Sequence, residues 1–282
     1  MLTGRALSCK SLKYKIYARL WSVNLEKWRM SALPRSSHAL VTGGGRGIGR
    51  AIASALAGAG ATVTIIGRQR AALDDAVAAG DAHFAAVADV GDRAALDAVI
   101  AEAARRQPID ILIANAGIVE SAPFAKSDAA LFHRMMDVNF MGVVHAIQAA
   151  LPSLKDRPHG RIVVIASTAG LKGYAYVSAY SAAKHAAVGL VRSLALELAS
   201  TGVTVNAVCP GFTDTDLVAG SVDNIMKKTG RSREQAIAEL SRHNPQGRLI
   251  TPAEVADTVL WLCGEGASAV TGQAIAVAGG EI

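Results

Sequence analysis

Short apolar runs and longer segments of mixed polarity alternate along most of the chain. From Ser37 onward, seven apolar runs lie between segments in which apolar residues recur at helical spacing. The seven runs are HALVT, ATVTIIG, AHFAAVADV, PIDILIANAG, GRIVVIAS, GVTVNAVCPG and GQAIAVAGG. A continuous run such as ATVTIIG is typical of a strand that is buried on both faces. The pattern predicts an α/β fold: a doubly wound, parallel, seven-stranded sheet with helices on both faces.

The segments between these runs predict helices, of which three matter here. Two are long, over Ala129–Asp156 and Ser178–Thr201, and they are apolar on more than one face. A third, PAEVADTVLWLCG, has Pro252 in its first turn, where the missing N–H of proline costs nothing. The polar stretch 214–251 is predicted as the longest irregular segment, in the place where a lid over a site would lie.

The chain of 282 residues is predicted to contain one catalytic domain, residues 38–282, preceded by a basic extension, residues 1–37. The extension holds eight Lys or Arg residues and one Glu, which leaves 21 basic and 22 acidic residues for the domain. The domain is therefore nearly neutral, and its charge does not favour a nucleic-acid partner. No apolar run is long enough to span a bilayer, so we expect no membrane partner.

The basic extension allows three interpretations. Its composition is typical of a transit peptide. Apolar residues between the charges would also suit a basic helix that binds a membrane surface or a partner. We favour a third interpretation, in which the segment is not native and the protein starts at Met30, in MSALPRSSHALVTGGG.

Neither the cysteines nor the acidic residues indicate a metal site. Cys9, Cys209 and Cys263 are far apart and lack metal-ligand spacing, which is typical of thiols in a reducing compartment. Asp214 and Asp216 have no third ligand nearby and are interpreted as part of a solvated turn. We expect a cytoplasmic protein without a metal.

The glycine-rich stretch TGGGRGIG, with Gly43, Gly47 and Gly49, lies between the first predicted strand and the first predicted helix. Glycines let the chain turn tightly and let the backbone approach a pyrophosphate. The helix N-terminus adds free N–H groups and the positive end of a dipole. Because the stretch follows a strand and opens a helix, it predicts a dinucleotide-binding loop rather than an ordinary turn.

Tyr180 and Lys184 lie four residues apart, on one face of the second long helix. A tyrosine packed in a core with a lysine extending past it is the plain interpretation. The alternative is an acid for carbonyl reduction, because an ammonium one turn away lowers the tyrosine pKa from about 10. Ser167 ends the run GRIVVIAS, at the sheet edge where ligands bind in open α/β folds. Its hydroxyl could bond a substrate oxygen, although serine is also common as a cap or turn residue.

These motifs together make the chain resemble the short-chain dehydrogenase/reductase family over His38–Ile282. The resemblance rests on the Gly-x-x-x-Gly-x-Gly spacing, on NAG at 115–117, on Ser167 and on YSAAK at 180–184. It implies a single Rossmann-type domain and an NAD(P)-dependent oxidoreductase that interconverts a ketone and a secondary alcohol. The implied catalytic residues are Asn139, Ser167, Tyr180 and Lys184.

The family resemblance gives these residues further roles. Asn139 would hold a water that links Lys184 to solvent; a structural hydrogen bond of its buried amide is the alternative. Asp89 would contact the adenine, Lys184 the nicotinamide ribose and Thr215 the carboxamide. The full set of predicted cofactor-binding residues is Gly43, Arg46, Gly47, Ile48, Gly49, Arg68, Asp89, Val90, Asn115, Tyr180, Lys184 and Thr215. Ala114 replaces the first asparagine of the family's NNAG, which puts one brace of the backbone in doubt.

The residues after the second strand favour NADP over NAD. NAD-binding proteins usually place an acidic residue at this strand end, where it bonds the ribose hydroxyls and repels a 2′-phosphate. Here the position is Gly67, Arg68 follows it, and Arg46 in the glycine loop adds a second guanidinium. Guanidinium groups pair with phosphate through parallel hydrogen bonds. In the alternative to NADP selection, both arginines are solvated surface charges and Gly67 tolerates either cofactor.

For the substrate, the tail NPQGRLITPAEVADTVLWLCGEGASAVTGQAIAVAGG resembles family members that act on 3-oxoacyl or 3-hydroxyacyl thioesters. The segment AAKHAAVGL resembles 3-hydroxybutyrate dehydrogenases. We expect a small-molecule substrate, an acyl thioester, with the free acid as the alternative. A non-catalytic dinucleotide-binding redox sensor is a second class, but it would not need Ser167, Tyr180 and Lys184 together. The family also implies a homotetramer, formed through the two long helices.

Overall fold

The computed structural model describes residues 33–34 and 36–282. Of the predicted extension, only residues 33, 34, 36 and 37 are described. The rest of it, including Cys9, lies outside the described residues, and the interpretations of the extension and of Cys9 stay predictions. The seven strands are β1 His38–Thr42, β2 Thr62–Gly67, β3 Phe84–Val87, β4 Ile111–Ala114, β5 Arg161–Ile165, β6 Thr204–Pro210 and β7 Ala274–Val277. The helices are α1 Gly47–Gly58, α2 Arg70–Ala78, α3 Arg93–Arg106, α4 Ala129–Met136, α5 Gly142–Lys155, α6 Ser178–Glu197, α7 Asp216–Thr229, α8 Arg233–Ser241 and α9 Pro252–Cys263.

All neighbouring strands are parallel, in the order β3-β2-β1-β4-β5-β6-β7. Two apolar cores cover the sheet, one on each face. One contains residues of α3, α5 and α6, and the other contains residues of α1, α2 and α9. The predicted doubly wound fold is confirmed. The strand order reverses between β1 and β4, which is where open α/β sheets form a crevice for a ligand at the carboxyl ends of their strands.

One of the two long predicted helices is not regular. Between α4 and α5 the chain makes a π turn over Asp137–Met141, in which the N–H of Gly142 bonds the carbonyl of Asp137, five residues back. A single π turn inside a helix is rare and is frequent at functional sites.

The prediction of an irregular segment over 214–251 was wrong, because most of it forms α7 and α8. Val218 and Val222, one turn apart on α7, pack against Ala236 of α8 and form a small apolar cluster of their own. A capping box between Ser232 and Gln235 begins α8. The predicted helix with Pro252 in its first turn is α9, and Thr251 and Glu254 form its capping box.

Within the described part of the chain, no helix combines the length and the apolar character that crossing a membrane requires.

Candidate active site

The glycine loop joins β1 to α1 and has the backbone that its sequence predicts. Gly43 and Gly47 adopt positive φ angles of 68° and 54°. A Cβ on Gly49 would overlap the carbonyl oxygen of Gly43. The residue before α1, Arg46, makes no side-chain cap, so the first N–H groups of the helix stay available. An uncapped helix N-terminus behind a glycine loop suits a pyrophosphate, and these residues therefore fit a dinucleotide.

A hydrogen-bonded brace joins this loop to the end of β4. The Asn115 amide nitrogen donates to the carbonyl oxygens of Thr42, at 2.9 Å, and Gly43, at 3.2 Å. The Thr42 hydroxyl oxygen accepts from the backbone N–H groups of Asn115, at 3.0 Å, and Ala116, at 3.1 Å. Asn115 thus holds the glycine loop through its side-chain amide. The loop is braced even though Ala114 replaces the usual asparagine.

A cavity of about 470 Å³ lies beyond the loop and includes Arg68, Asp89 and Ile118 in its lining. Arg68 Nη1 lies 3.6 Å from Asp89 Oδ2, and both side chains are well exposed. Asp89 also accepts from the backbone N–H of Gly91, at 2.9 Å. The two residues predicted at the adenosine end of the cofactor therefore lie together.

The other predicted cofactor residues do not all lie at the glycine loop or the cavity. Thr215 lies over the glycine loop, where its Cγ2 would be 3.4 Å from a Cβ on Gly47. Ile48 packs against the core on the α1 face. The side chain of Val90 does not line the groove: it is 6% exposed and lies where a Cβ on Gly142 would reach within 2.6 Å of its Cγ2.

Tyr180 and Lys184 lie one turn apart on α6, beside the end of β5. The Lys184 ammonium lies 5.7 Å from the centre of the Tyr180 ring and donates to the carbonyl of Ile165 at 2.8 Å. Ser167, two residues after Ile165, accepts from the N–H of Ala169 at 3.1 Å and so caps a short 3-10 turn over Thr168–Gly170. The cap uses a lone pair of the serine oxygen, and its hydroxyl hydrogen stays available for Tyr180 or for a substrate.

The expectation that the pKa of Tyr180 lies below its ordinary value was wrong. Burial raises the pKa of Tyr180, and a hydrogen bond with Ser167 only partly opposes it. Burial also lowers the pKa of Lys184, to about 8. Burial removes hydration from the phenolate and from the ammonium alike, which disfavours both charged forms. Tyr180 is therefore protonated at neutral pH, as a proton donor must be.

Asn139 lies in the π turn and is completely buried. Its amide oxygen accepts from the N–H of Ile118 at 3.1 Å, and its amide nitrogen donates to the carbonyl of Met135 at 3.0 Å. A Cβ on Gly117 would lie 2.8 Å from this oxygen and 3.6 Å from Lys184 Nζ. The side chain makes the structural hydrogen bonds that were the alternative interpretation, while the water link to Lys184 stays a prediction.

Sequence reasoning missed four polar residues beside Ser167. The Tyr174 hydroxyl lies 2.7 Å from Thr168 Oγ1 and 2.6 Å from Glu281 Oε1, and the Lys172 ammonium lies 3.0 Å from the same carboxylate oxygen. Lys172 and Tyr174 fall in the segment before α6, and that position was the only available signal. Glu281 is more than a hundred residues away along the chain, and no pattern connects it to the site.

The fold, the glycine loop and the Ser-Tyr-Lys arrangement define a nicotinamide-dependent oxidoreductase. Residues 37–226 match the family model described as short chain dehydrogenase, and the chain belongs to the short-chain dehydrogenase/reductase family. Among its relatives are a putative ketoacyl reductase of Streptomyces coelicolor, 38% identical over 87% of this chain and 97% of that protein, and a D-beta-hydroxybutyrate dehydrogenase of Rhizobium meliloti, 35% identical over 86% of this chain and 97% of that protein. A crystal structure of actinorhodin polyketide ketoreductase with NADPH superimposes with a TM-score of 0.83, at 36% identity, over 87% of this chain and 97% of that one.

Proposed function

We propose that this protein reduces a 3-oxoacyl thioester to the 3-hydroxyacyl thioester, with NADPH as the reductant. The observation that carries the proposal is the convergence of Ser167, Tyr180 and Lys184 at the carboxyl end of β5. The nicotinamide supplies the hydride in such a reaction. The residues of the chain have to orient the carbonyl, supply a proton to its oxygen and keep the resulting phenolate stable.

Each of the three residues has one main task in this proposal. The Ser167 hydroxyl donates a hydrogen bond to the substrate carbonyl oxygen and fixes its direction. Tyr180 gives its proton to that oxygen as the alkoxide forms. Its raised pKa keeps the phenol protonated until then, so the proton is available. The Lys184 ammonium stabilises the phenolate that remains. Asn139 supports the reprotonation of this pair through the predicted water.

Relatives favour a β-oxygenated acyl substrate but differ in its form. Besides the ketoacyl reductase and the hydroxybutyrate dehydrogenase, an acetoacetyl-CoA reductase of Shinella zoogloeoides is 35% identical over 86% of this chain. The free acid is the second candidate, and the hydroxybutyrate dehydrogenase favours it. The intact site argues against a non-catalytic redox sensor, which would not need Tyr180 and Lys184 together.

The test is a substrate panel followed by the loss of NADPH absorbance. We expect 3-oxoacyl thioesters, offered as CoA esters and as short carrier mimics, to be reduced with a higher kcat/KM than simple ketones. The absence of turnover with every β-oxo substrate would contradict the proposed function.

NADPH is proposed as the cofactor because the position after β2 lacks a carboxylate. Gly67 carries no charge, and the guanidinium groups of Arg68 and Arg46 are both exposed near the loop. The pair between Arg68 and Asp89 is long and exposed. Such pairs contribute at most about 1 kcal/mol, so a 2′-phosphate could displace Asp89 from Arg68.

Replacing Gly67 by aspartate is expected to lower the ratio of kcat/KM with NADPH to that with NADH by at least about tenfold, because the carboxylate repels the 2′-phosphate. The chain has room for the change, since a Cβ at Gly67 meets only the flexible side chain of Leu73, at 3.3 Å. Gly67→Ala adds the same Cβ without the charge and should leave the ratio near that of the wild type. Arg68→Ala should move it toward NADH. A wild-type ratio below one, or a ratio that Gly67→Asp does not move, would overturn the assignment.

A homotetramer assembled through α4–α6 is also proposed. The two long helices are apolar on more than one face, and such helices favour cover on two sides. Leu196 on α6, 82% exposed, and Met141 in the π turn, 36% exposed, are apolar side chains that such an interface would cover. Light scattering at micromolar concentration measures the assembly, and a monomeric mass contradicts it.

A further inference from the structure

A network of four polar residues lies between the catalytic turn and the chain after β7. Glu281 follows two glycines with positive φ, Gly279 at 62° and Gly280 at 93°, which direct its side chain inward. The carboxylate is only 2% exposed. It accepts from the Tyr174 hydroxyl at 2.6 Å and pairs with the Lys172 ammonium at 3.0 Å.

The chemistry of the groups fixes the direction of these hydrogen bonds. An ionised carboxylate only accepts, so Tyr174 gives its single hydrogen to Glu281. Thr168 must then donate its own hydroxyl hydrogen to the Tyr174 oxygen, 2.7 Å away. Thr168 directly follows Ser167, the residue proposed to orient the substrate carbonyl. The network therefore lies beside Ser167, at the substrate end of the proposed site.

Lys172 is the charged group of this network whose side chain is open to solvent. Its side chain is 36% exposed, and its ammonium lies 5.0 Å from the centre of the Tyr174 ring. The carbonyl oxygen of Glu281 also accepts from it, at 3.4 Å. The Tyr174 ring also makes edge contacts with the rings of Phe212 and His243. The positive charge of Lys172 is thus already balanced by an enclosed carboxylate.

We propose that Glu281, by neutralising Lys172, makes the substrate site select neutral acyl esters and reject free 3-oxo acids. This inference rests on the proposed function, whose site it deepens. A substrate carboxylate near Lys172 would have to compete with a buried carboxylate that two hydrogen-bond donors already hold. It would also meet the repulsion of Glu281 itself. A thioester has no charge and meets neither obstacle.

The experiment compares two substrates with the same β-ketone, acetoacetate and its N-acetylcysteamine thioester. The measured quantity is the ratio of kcat/KM for acetoacetate to kcat/KM for the thioester, with NADPH. Glu281→Gln keeps the size of the side chain and frees the Lys172 charge, so the ratio should rise at least about tenfold. Lys172→Met leaves the carboxylate without its cation, so the ratio should fall. In the double variant, which lacks both charges, the ratio should lie below that of Glu281→Gln.

Glu102→Gln is the matched control, because Glu102 is an exposed carboxylate on α3 that pairs with arginines of its own helix; its ratio should equal that of the wild type. If Glu281 only supports the fold, Glu281→Gln lowers both kcat/KM values together, and the unchanged ratio overturns the inference. A wild type that reduces acetoacetate better than the thioester also overturns it. A wild type that reduces neither substrate contradicts the proposed function instead.

Discussion

Replacement of Tyr180 by phenylalanine is expected to lower turnover at least about a hundredfold while NADPH binding stays close to that of the wild type. The change removes one hydroxyl and no packing, because the ring contacts an apolar cluster that includes Leu131, Met135 and Ala183. Loss of a positioned general acid has an effect of this size. NADPH oxidation measures the turnover, and titration of nucleotide fluorescence measures the binding.

Tyr176→Phe provides the matched control on the same segment. Tyr176 is 66% exposed, and its main-chain carbonyl, not its hydroxyl, accepts from the N–H of Ala122 at 2.8 Å. The Tyr176→Phe variant also loses one hydroxyl, and its turnover should stay near that of the wild type. A Tyr180→Phe enzyme that keeps a third of its activity would rule out the proton-donor role.

Lys184→Met is expected to reduce turnover by a similar factor and yet to make the protein more stable. Burial holds the pKa of Lys184 at about 8, below its ordinary value of 10.5. Each unit corresponds to about 1.4 kcal/mol, so burial of the charged form costs on the order of 3 kcal/mol at neutral pH. Methionine removes that cost but leaves the carbonyl of Ile165 without its donor, which costs about 1 kcal/mol or more. The free energy of unfolding should rise by about 1–2 kcal/mol at pH 7.

The pH dependence of this effect has a definite sign. Between pH 8 and 10.5 the unfolded chain binds a proton at Lys184 that the folded chain has released, so the stability of the wild type rises with pH across this window. The advantage of Lys184→Met should therefore shrink as the pH rises from 8 toward 10.5. Turnover of the wild type should fall above pH 8, because the ammonium is lost there.

Denaturant unfolding of the apoprotein at several pH values measures the stability difference, and Lys155→Met, at an exposed lysine on α5, is the control. A Lys184→Met variant that is less stable than the wild type at pH 7 would show that the buried ammonium contributes to the fold.

The strands and the residues proposed for catalysis were predictable from the sequence because they depend on local signals. Apolar runs define buried strands, and Tyr180 and Lys184 share a helix face by spacing alone. The helix α7 was missed although Val218 and Val222 lie one turn apart and a capping box at Ser232 begins the next helix. The mostly polar composition of the segment hid both signals.

Other features depend on the folded environment and could not be read from the chain. The raised pKa of Tyr180 and the lowered pKa of Lys184 both follow from burial of the two groups. Glu281 reaches Tyr174 only because β7 ends at the same edge of the sheet as β5. The sequence contains no local trace of either relation.

The π turn between α4 and α5 has a consequence for how this helix pair can vary. A π turn amounts to one residue more than a regular helix needs, and one residue turns the helix by about 100°. On one side of the turn, Leu131 and Met135 pack against α6; on the other, Val143 and Ala146 pack into the core beneath the sheet. Deleting one residue here would restore a regular helix and swing Leu131 and Met135 away from α6. The length of the segment 137–141 is therefore constrained independently of its side chains, because its count of residues keeps both packed faces in phase.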